Sequence, residues 1–270
     1  MSPLPIHCSW FENTGQTLKT NDGREVFIID FNYKQDELLL AEWALQFRKH
    51  YCSDGDLNSA SMSMGLSKSD YLRTIKFPSN NQGFGPATRS GDFSEILIAD
   101  YVQFLMDYDI PRVRYDRRFN PDVSTPGVDI LGFKLIEGKT NSKDELITCE
   151  VKASLRTTGS NSLQSAIDDS IKDFEIRLPV ALNATLQRLK DRGETESISL
   201  VERFMNKTKS PYIQVTGAFL VCSESCWSDD LVTQSDSSRH PNGNTFFLVL
   251  KGVDLMDLAN KLYETAYVTA

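Results

Sequence analysis

No stretch of this 270-residue sequence approaches the roughly 20 consecutive apolar residues that span a bilayer. Residues 1–10 have neither a basic start nor an apolar run, so nothing there points to export, and a cytoplasmic protein without a membrane partner is the expectation. Histidine is scarce. His7, His50 and His240 are the only ones, no G-x-S-x-G elbow accompanies them, and a Ser-His hydrolase has no support. The five cysteines, at positions 8, 52, 149, 222 and 226, are odd in number and scattered, which suits a reduced compartment better than a disulfide framework. Cys222, Cys226 and His240 would supply three zinc ligands where a structural site wants four. Positive charge is also short: 29 Lys and Arg against 37 Asp and Glu leave a net charge of −8. That argues against a protein that coats nucleic acid by electrostatics alone, but not against an enzyme acting on nucleic acid whose carboxylates bind metal ions that supply local positive charge. A phosphate-binding P-loop is missing too, because in "GFKLIEGKT" the step from Gly132 to Gly138 is one residue too long.

What is present is the composition of an ordinary globular protein, 40% hydrophobic and 24% charged, with no internal repeat or low-complexity tract. Periodicity predicts a strand over 25–31 and a helix over 35–51, followed by a loop-like Ser/Gly/Asp-rich segment over 52–66. Two prolines and three glycines over 78–91 mark the best candidate domain boundary, dividing an N-terminal α/β extension (1–85), regulatory or partner-docking, from a second domain (86–270). Beyond it the pattern predicts a helix over 92–107 and strands within 111–119, over 127–135 and over 146–153. Helices over 162–176, 180–192 and 196–207, strands over 212–222 and 245–251, and a final helix over 253–265 complete the order. The polar stretch 137–145 is suited to turn the second of the three strands back into the third as a long hairpin. Leu182, Leu186 and Leu189 read as the core-facing stripe of a helix.

The octapeptide "ITCEVKAS", residues 147–154, carries the chemistry. Strand side chains alternate, so Ile147, Cys149 and Val151 share a core-like face and Thr148, Glu150 and Lys152 share the other. If strands 127–135 and 146–153 pair antiparallel, Asp129 falls opposite the region of Glu150 and Lys152, with the register deciding its partner. Asp129 sits among Val128, Ile130 and Leu131, where an ionised carboxylate needs a cation or donors to compensate it. Asp129, Glu150, the backbone carbonyl of Val151 and waters would make an incomplete oxygen shell for Mg²⁺. Lys152 beside it would orient an attacking water and offset developing negative charge, which suits phosphodiester cleavage.

Gly127-Val-Asp129 followed by Glu150-Val-Lys152 resembles the signature of the PD-(D/E)xK nuclease superfamily, an acid on one strand and acid-x-Lys on the next. The resemblance implies a restriction-endonuclease-like α/β (α+β) fold, an αβββαβ core with a mixed central sheet flanked by helices, plus the N-terminal extension. It also implies metal-dependent cleavage of a nucleic-acid backbone, with Mg²⁺ as cofactor and Mn²⁺ able to substitute. Glu95, in "GDFSEIL", stands where many members have a further metal ligand on the first core helix. Asp92 and Glu95 equally have the spacing of a helix-capping pair. The length, the N-terminal extension, the run "SGDFSEILIADYVQFLMDYDIPRVRYDRRF" before "PGVDILGF", and "CEVKAS" resemble the nuclease subunit of Hachiman anti-phage defence systems. That implies DNA as substrate and a superfamily 2 helicase as the restraining partner.

Arg112, Arg114, Arg117 and Arg118 around Tyr115 form the densest basic cluster, and Arg112 and Arg114 would share a strand face toward DNA phosphates or toward an acidic partner. Arg156, Ser154, the loop 157–161 and Gln164 follow the acid-x-Lys strand and would line a substrate groove or cap the next helix. Two rival functions remain open: a non-catalytic DNA- or partner-binding module on a degenerate nuclease fold, and a restriction endonuclease working alone.

Overall fold

The computed structural model describes residues 4–136, 140–156 and 162–270. A 3₁₀ turn at Ile6–Trp10 leads into the hairpin β1 (Phe11–Lys19) and β2 (Glu25–Phe31), followed by α1 (Glu37–Lys49), α2 (Asp54–Met64) and α3 (Lys68–Tyr71). A π-helical turn at Leu72–Lys76 precedes the long α4 (Gly85–Phe104), and then come β3 (Ile130–Lys134), β4 (Glu145–Ser154) and α5 (Ser162–Lys172). A second π-helical turn, Asp173–Arg177, joins α5 directly to α6 (Leu178–Arg192). The remainder is α7 (Thr195–Phe204), β5 (Ile213–Ser223), α8 (Asp230–Thr233), β6 (Thr245–Gly252) and α9 (Leu255–Val268).

The strands form one six-stranded mixed sheet in the order β1-β2-β6-β5-β4-β3. The inner run β2-β6-β5-β4 is parallel, and an antiparallel strand closes each edge. Such parallel strands need cover on both faces, and their sequences comply, with near-continuous burial along β4 and β5. One face carries Ile29, Phe31, Ile147, Cys149, Val151, Phe219 and Leu248 into a core shared with α1, α4 and α9. The other places Val26, Ile28, Ala218, Leu220 and Val249 against α5. A third cluster packs Phe133 and Leu146 beneath α6 and α7 through Leu182, Leu186, Leu189 and Phe204, so the predicted leucine stripe is core. This is the expected α/β architecture, a mixed sheet flanked by helices. Cys222 and Cys226 are buried free thiols in the second core cluster. Among the described residues no helix is long and apolar enough to cross a membrane.

Several local expectations are corrected. No strand forms within 111–119, and an isolated bridge just before it, Asp109 to Phe133, touches the sheet. The segment is held instead by its arginines, which reach into acids on α4. Residues 52–66 are mostly helix, started by Ser53, whose hydroxyl accepts from the Asp56 amide, and stopped by Gly65 in the left-handed region (φ 65°). α4 starts at Gly85, inside the segment taken for a boundary. A Cβ there would stand 2.4 Å from the Ser79 carbonyl oxygen, so only glycine permits this approach. Residues on both sides of 85/86 share one sheet and one core cluster. The turn expected over 137–145 and the loop 157–161 fall partly and wholly outside the described residues.

Candidate active site

β3 and β4 pair antiparallel with Ile130 opposite Cys149, so Asp129, one residue before β3, stands across from Glu150. The Val151 amide donates to Asp129 Oδ2 at 3.0 Å and fixes that register at the site. Ile147, Cys149 and Val151 do face the core, while Glu150 and Lys152 emerge on the opposite face at the end of β4. Asp129, Glu150, Val151, Lys152, Glu95, Arg114, Ser154 and Arg156 all border one open cleft of about 740 Å³. Its rim includes the start of α4 and the segment before β3, and Arg177 from the π-helical turn also faces it.

Glu95 lies well inside α4, which excludes the capping alternative for it and for Asp92. Glu95 accepts hydrogen bonds from Arg114 Nε at 2.8 Å and from the Tyr115 hydroxyl at 2.7 Å. The same guanidinium donates to Asp129 Oδ1 at 2.7 Å and to the carbonyls of Val128 and Thr125. Arg114, expected to meet phosphate, is therefore an internal tie between the two acids. Arg112 likewise donates to Asp100 and Gln103 and does not border the cleft. Arg118 is bidentate to buried Asp92. Arg156 is exposed at the cleft rim, with Asp257 3.6 Å away. Gln164 lies elsewhere, tying α5 to the backbone of Asp236.

Sequence reasoning missed three groups: Arg177, which borders the cleft, and Asp169 and Asp173, which hold Lys152 and Arg177. Lys152 Nζ donates to Glu150 Oε1 at 2.7 Å and to Asp169 Oδ2 on α5 at 2.6 Å. Asp173, fully buried at the start of the π-helical turn, accepts from Arg177 at 3.0 Å. Arg177 also stands 3.6 Å from Glu150 Oε2. Asp169, Asp173 and Arg177 recur every four residues, the spacing of one helical face, and that spacing was the available signal. A π-helical turn within a helix is often found at functional sites.

The electrostatics are those of a surplus of acid. Burial first, then the neighbouring Glu95 charge, raises the Asp129 carboxyl to about 7 against the opposition of Arg114 and the Val151 amide. Burial and the Asp129 charge raise Glu150 to about 7, and burial with the Glu150 charge does the same to Asp173. Lys152 moves the other way: burial alone would lower its pKa, but the hydrogen bonds to Asp169 and Glu150 win, and it stays an ammonium ion. Glu150 Oε2 and Asp173 Oδ2 are buried without a hydrogen-bond partner.

This donor set fits a hard divalent cation. Two carboxylates and backbone oxygen suit Mg²⁺, which is held by one or two carboxylates and keeps waters of its own. Among the described residues no three His, Cys, Asp or Glu side chains are gathered closely enough to cage a metal by themselves. The hydrogen bonds that Asp129 and Glu95 already accept leave lone pairs free on both. Glu150 Oε2 has Arg177 at 3.6 Å but accepts no hydrogen bond, and the raised carboxyls mark a surplus of acid at the cleft.

Comparison with known proteins gives one family: the model of the HamA family matches residues 6–266. No curated protein matches the chain.

Proposed function

Because the chain belongs to the HamA family, we propose that it is a metal-dependent DNA nuclease of the PD-(D/E)xK type. In this reading it is the effector of an anti-phage defence complex in the cytoplasm, restrained by a superfamily 2 helicase. Family membership supports a nuclease-like role in defence. The observation that carries the chemistry is the convergence of Asp129, Glu150 and Lys152 from paired strands on one open cleft, with Glu150 Oε2 accepting no hydrogen bond.

Asp129 and Glu150 would hold Mg²⁺ or Mn²⁺, with the Val151 carbonyl and Glu95 as further donors. When bound, the ion lowers the pKa of a water and offsets charge on the phosphate. The remaining work belongs to the chain. Lys152, fixed as an ammonium by two acids, cannot accept a proton. It donates to the attacking water or to a phosphate oxygen and stabilises the charge that develops there. Arg177 and Arg156 at the cleft rim draw the phosphate backbone in. Asp169 and Asp173 orient Lys152 and Arg177 respectively.

The test is supercoiled plasmid with Mg²⁺, the protein alone or with its helicase, and Lys152→Ala as matched control. Mg²⁺-dependent nicking that disappears in Lys152→Ala is the expected result, and the helicase should suppress it. Full cleavage by a folded Glu150→Ala/Lys152→Ala protein overturns the assignment. One observation favours a second reading, a non-catalytic DNA- or partner-binding module: Arg114 already neutralises Glu95 and Asp129 from within. Calorimetric titration with Mn²⁺ separates the two, because such a module has no use for the ion and loses nothing when Asp129 is neutralised.

A further inference from the structure

A second hollow, of about 260 Å³, adjoins the carboxylate cleft and shares with it the segment 125–127 and the side chains of Arg114, Asp129 and Arg177. Its character is different. Val113 and Leu131 line it on the sheet side, and Val180, Ala181 and Ala184 line it on α6. The two alanines, three residues apart on one helical face, keep the space open where larger side chains would fill it. Ile176 in the π-helical turn and Val180 in α6, four residues apart, are 68% and 69% exposed beside it. The hollow is below the roughly 300–1,000 Å³ of sites that enclose a drug-sized molecule, and so suits a single ring system.

Arg188 supplies the second observation. It borders the hollow, is half-buried, and among the described residues makes no hydrogen bond and no ion pair. Its neighbours Arg117 and Arg192 are each paired with an acid, Asp191 and Asp116, and Arg188 feels the Asp116 charge without pairing to it. A half-buried guanidinium without a partner is suited to a phosphate or carboxylate.

From this arrangement we infer that the hollow is a nucleotide subsite of the cleft: a base lies between α6 and the segment 125–127 while Arg188 takes a phosphate of the same strand. An apolar slot, a free cation at its edge and a phosphodiester-cleaving cleft sharing its wall are together met by one unstacked nucleotide. A paired, stacked base cannot enter. The substrate class is therefore single-stranded or locally opened DNA. The inference rests on the nuclease reading.

The test uses the full chain carrying Lys152→Ala, in buffer without divalent ions. Binding of fluorescein-labelled oligothymidylate is compared by anisotropy with binding of an abasic deoxyribose-phosphate strand of equal length. The protein should prefer the strand with bases roughly tenfold, the scale of burying part of one base against aliphatic side chains. Ala184→Leu, which fills the slot, and Val180→Ser, which strips its exposed apolar wall without touching the core, should each erase that preference. Arg188→Ala should weaken both strands alike and flatten the salt dependence. Equal binding of the two strands by the parent, binding of neither, or a preference unchanged in folded Val180→Ser overturns the subsite. Plasmid cleavage by the protein with Lys152 intact is read separately, so loss of the subsite and loss of the nuclease reading are distinct results.

Discussion

Lys152 Nζ lies 2.6 Å from Asp169 Oδ2, so the lysine at the end of β4 is held by the helix into which its own chain runs. Two acids on one ammonium keep it protonated and aimed. Asp169→Asn removes one of them while leaving the metal-binding acids in place. Cleavage should fall roughly tenfold, as for one charge-assisted hydrogen bond, and the lysine should lose its proton at lower pH. The activity profile of Asp169→Asn should therefore collapse earlier on the alkaline side. A profile superimposable on the parent's would dissociate Asp169 from Lys152.

Glu150→Gln should stabilise the metal-free protein at pH 8 by on the order of 1 kcal/mol and change it little near pH 5. The folded carboxyls of Asp129, Glu150 and Asp173 are raised above their unfolded values, to about 7. Their contribution to stability is complete below the ordinary carboxylate range and is lost as pH rises through about 7. Removing one of the three charges relieves the loss, at the expense of function. Thermal melts of both proteins in EDTA at the two pH values decide it, and a destabilised Glu150→Gln protein at pH 8 would contradict the sign.

Arg114→Gln takes a buried cation from Glu95 and Asp129 together. The cost should be about 3 kcal/mol in urea unfolding without metal, the scale of breaking a buried ion pair. Mn²⁺ should restore more stability to this variant than to the parent, because the two acids then lack their internal counter-ion. Equal stabilisation of the two proteins by Mn²⁺ would place the ion away from these acids.

Asp100, which does not border the cleft, joins α4 to two other segments: it accepts from His7 Nε2 at 2.8 Å and from Arg112 at 2.7 Å. Burial would raise its carboxyl, but Arg112 and His7 outweigh burial and hold it down at about 2. That stability is present above the unfolded value and is lost as pH falls through about 2. Asp100→Asn should cost about 3 kcal/mol at neutral pH, with an acid unfolding limb less steep than the parent's. Its plasmid cleavage per folded molecule should stay unchanged.

Much of this was legible in the sequence because burial was continuous and alternation clean. β2, β4, β5 and β6 announced themselves that way, and antiparallel pairing brought Asp129 to the region of Glu150 and Lys152, while the register itself came from the structure. β1 did not, since an edge strand exposed along most of its length, Glu12 to Thr17, has no apolar face to betray it. The segment from Pro111 to Phe119 misled for the opposite reason: its alternating arginines and Tyr115 look like a strand, but their partners are acids on α4, not a neighbouring ladder. Those same acids turned the expected phosphate contacts of Arg112 and Arg114 inward. Asp169, Asp173 and Arg177 were invisible to strand logic, because a helix supplies them from across the fold.

The parallel centre of the sheet also dictates an order of assembly. Val26 pairs with Phe247, and Glu145 with Ile213, so β2 waits for β6 and β4 waits for β5 to leave the ribosome. Pairings of such long range are slow to close. The strand that bears Glu150 and Lys152 thus gains its inner neighbour only after most of the polypeptide has been made, and a nascent fragment ending before β5 carries both residues without the scaffold that aims them.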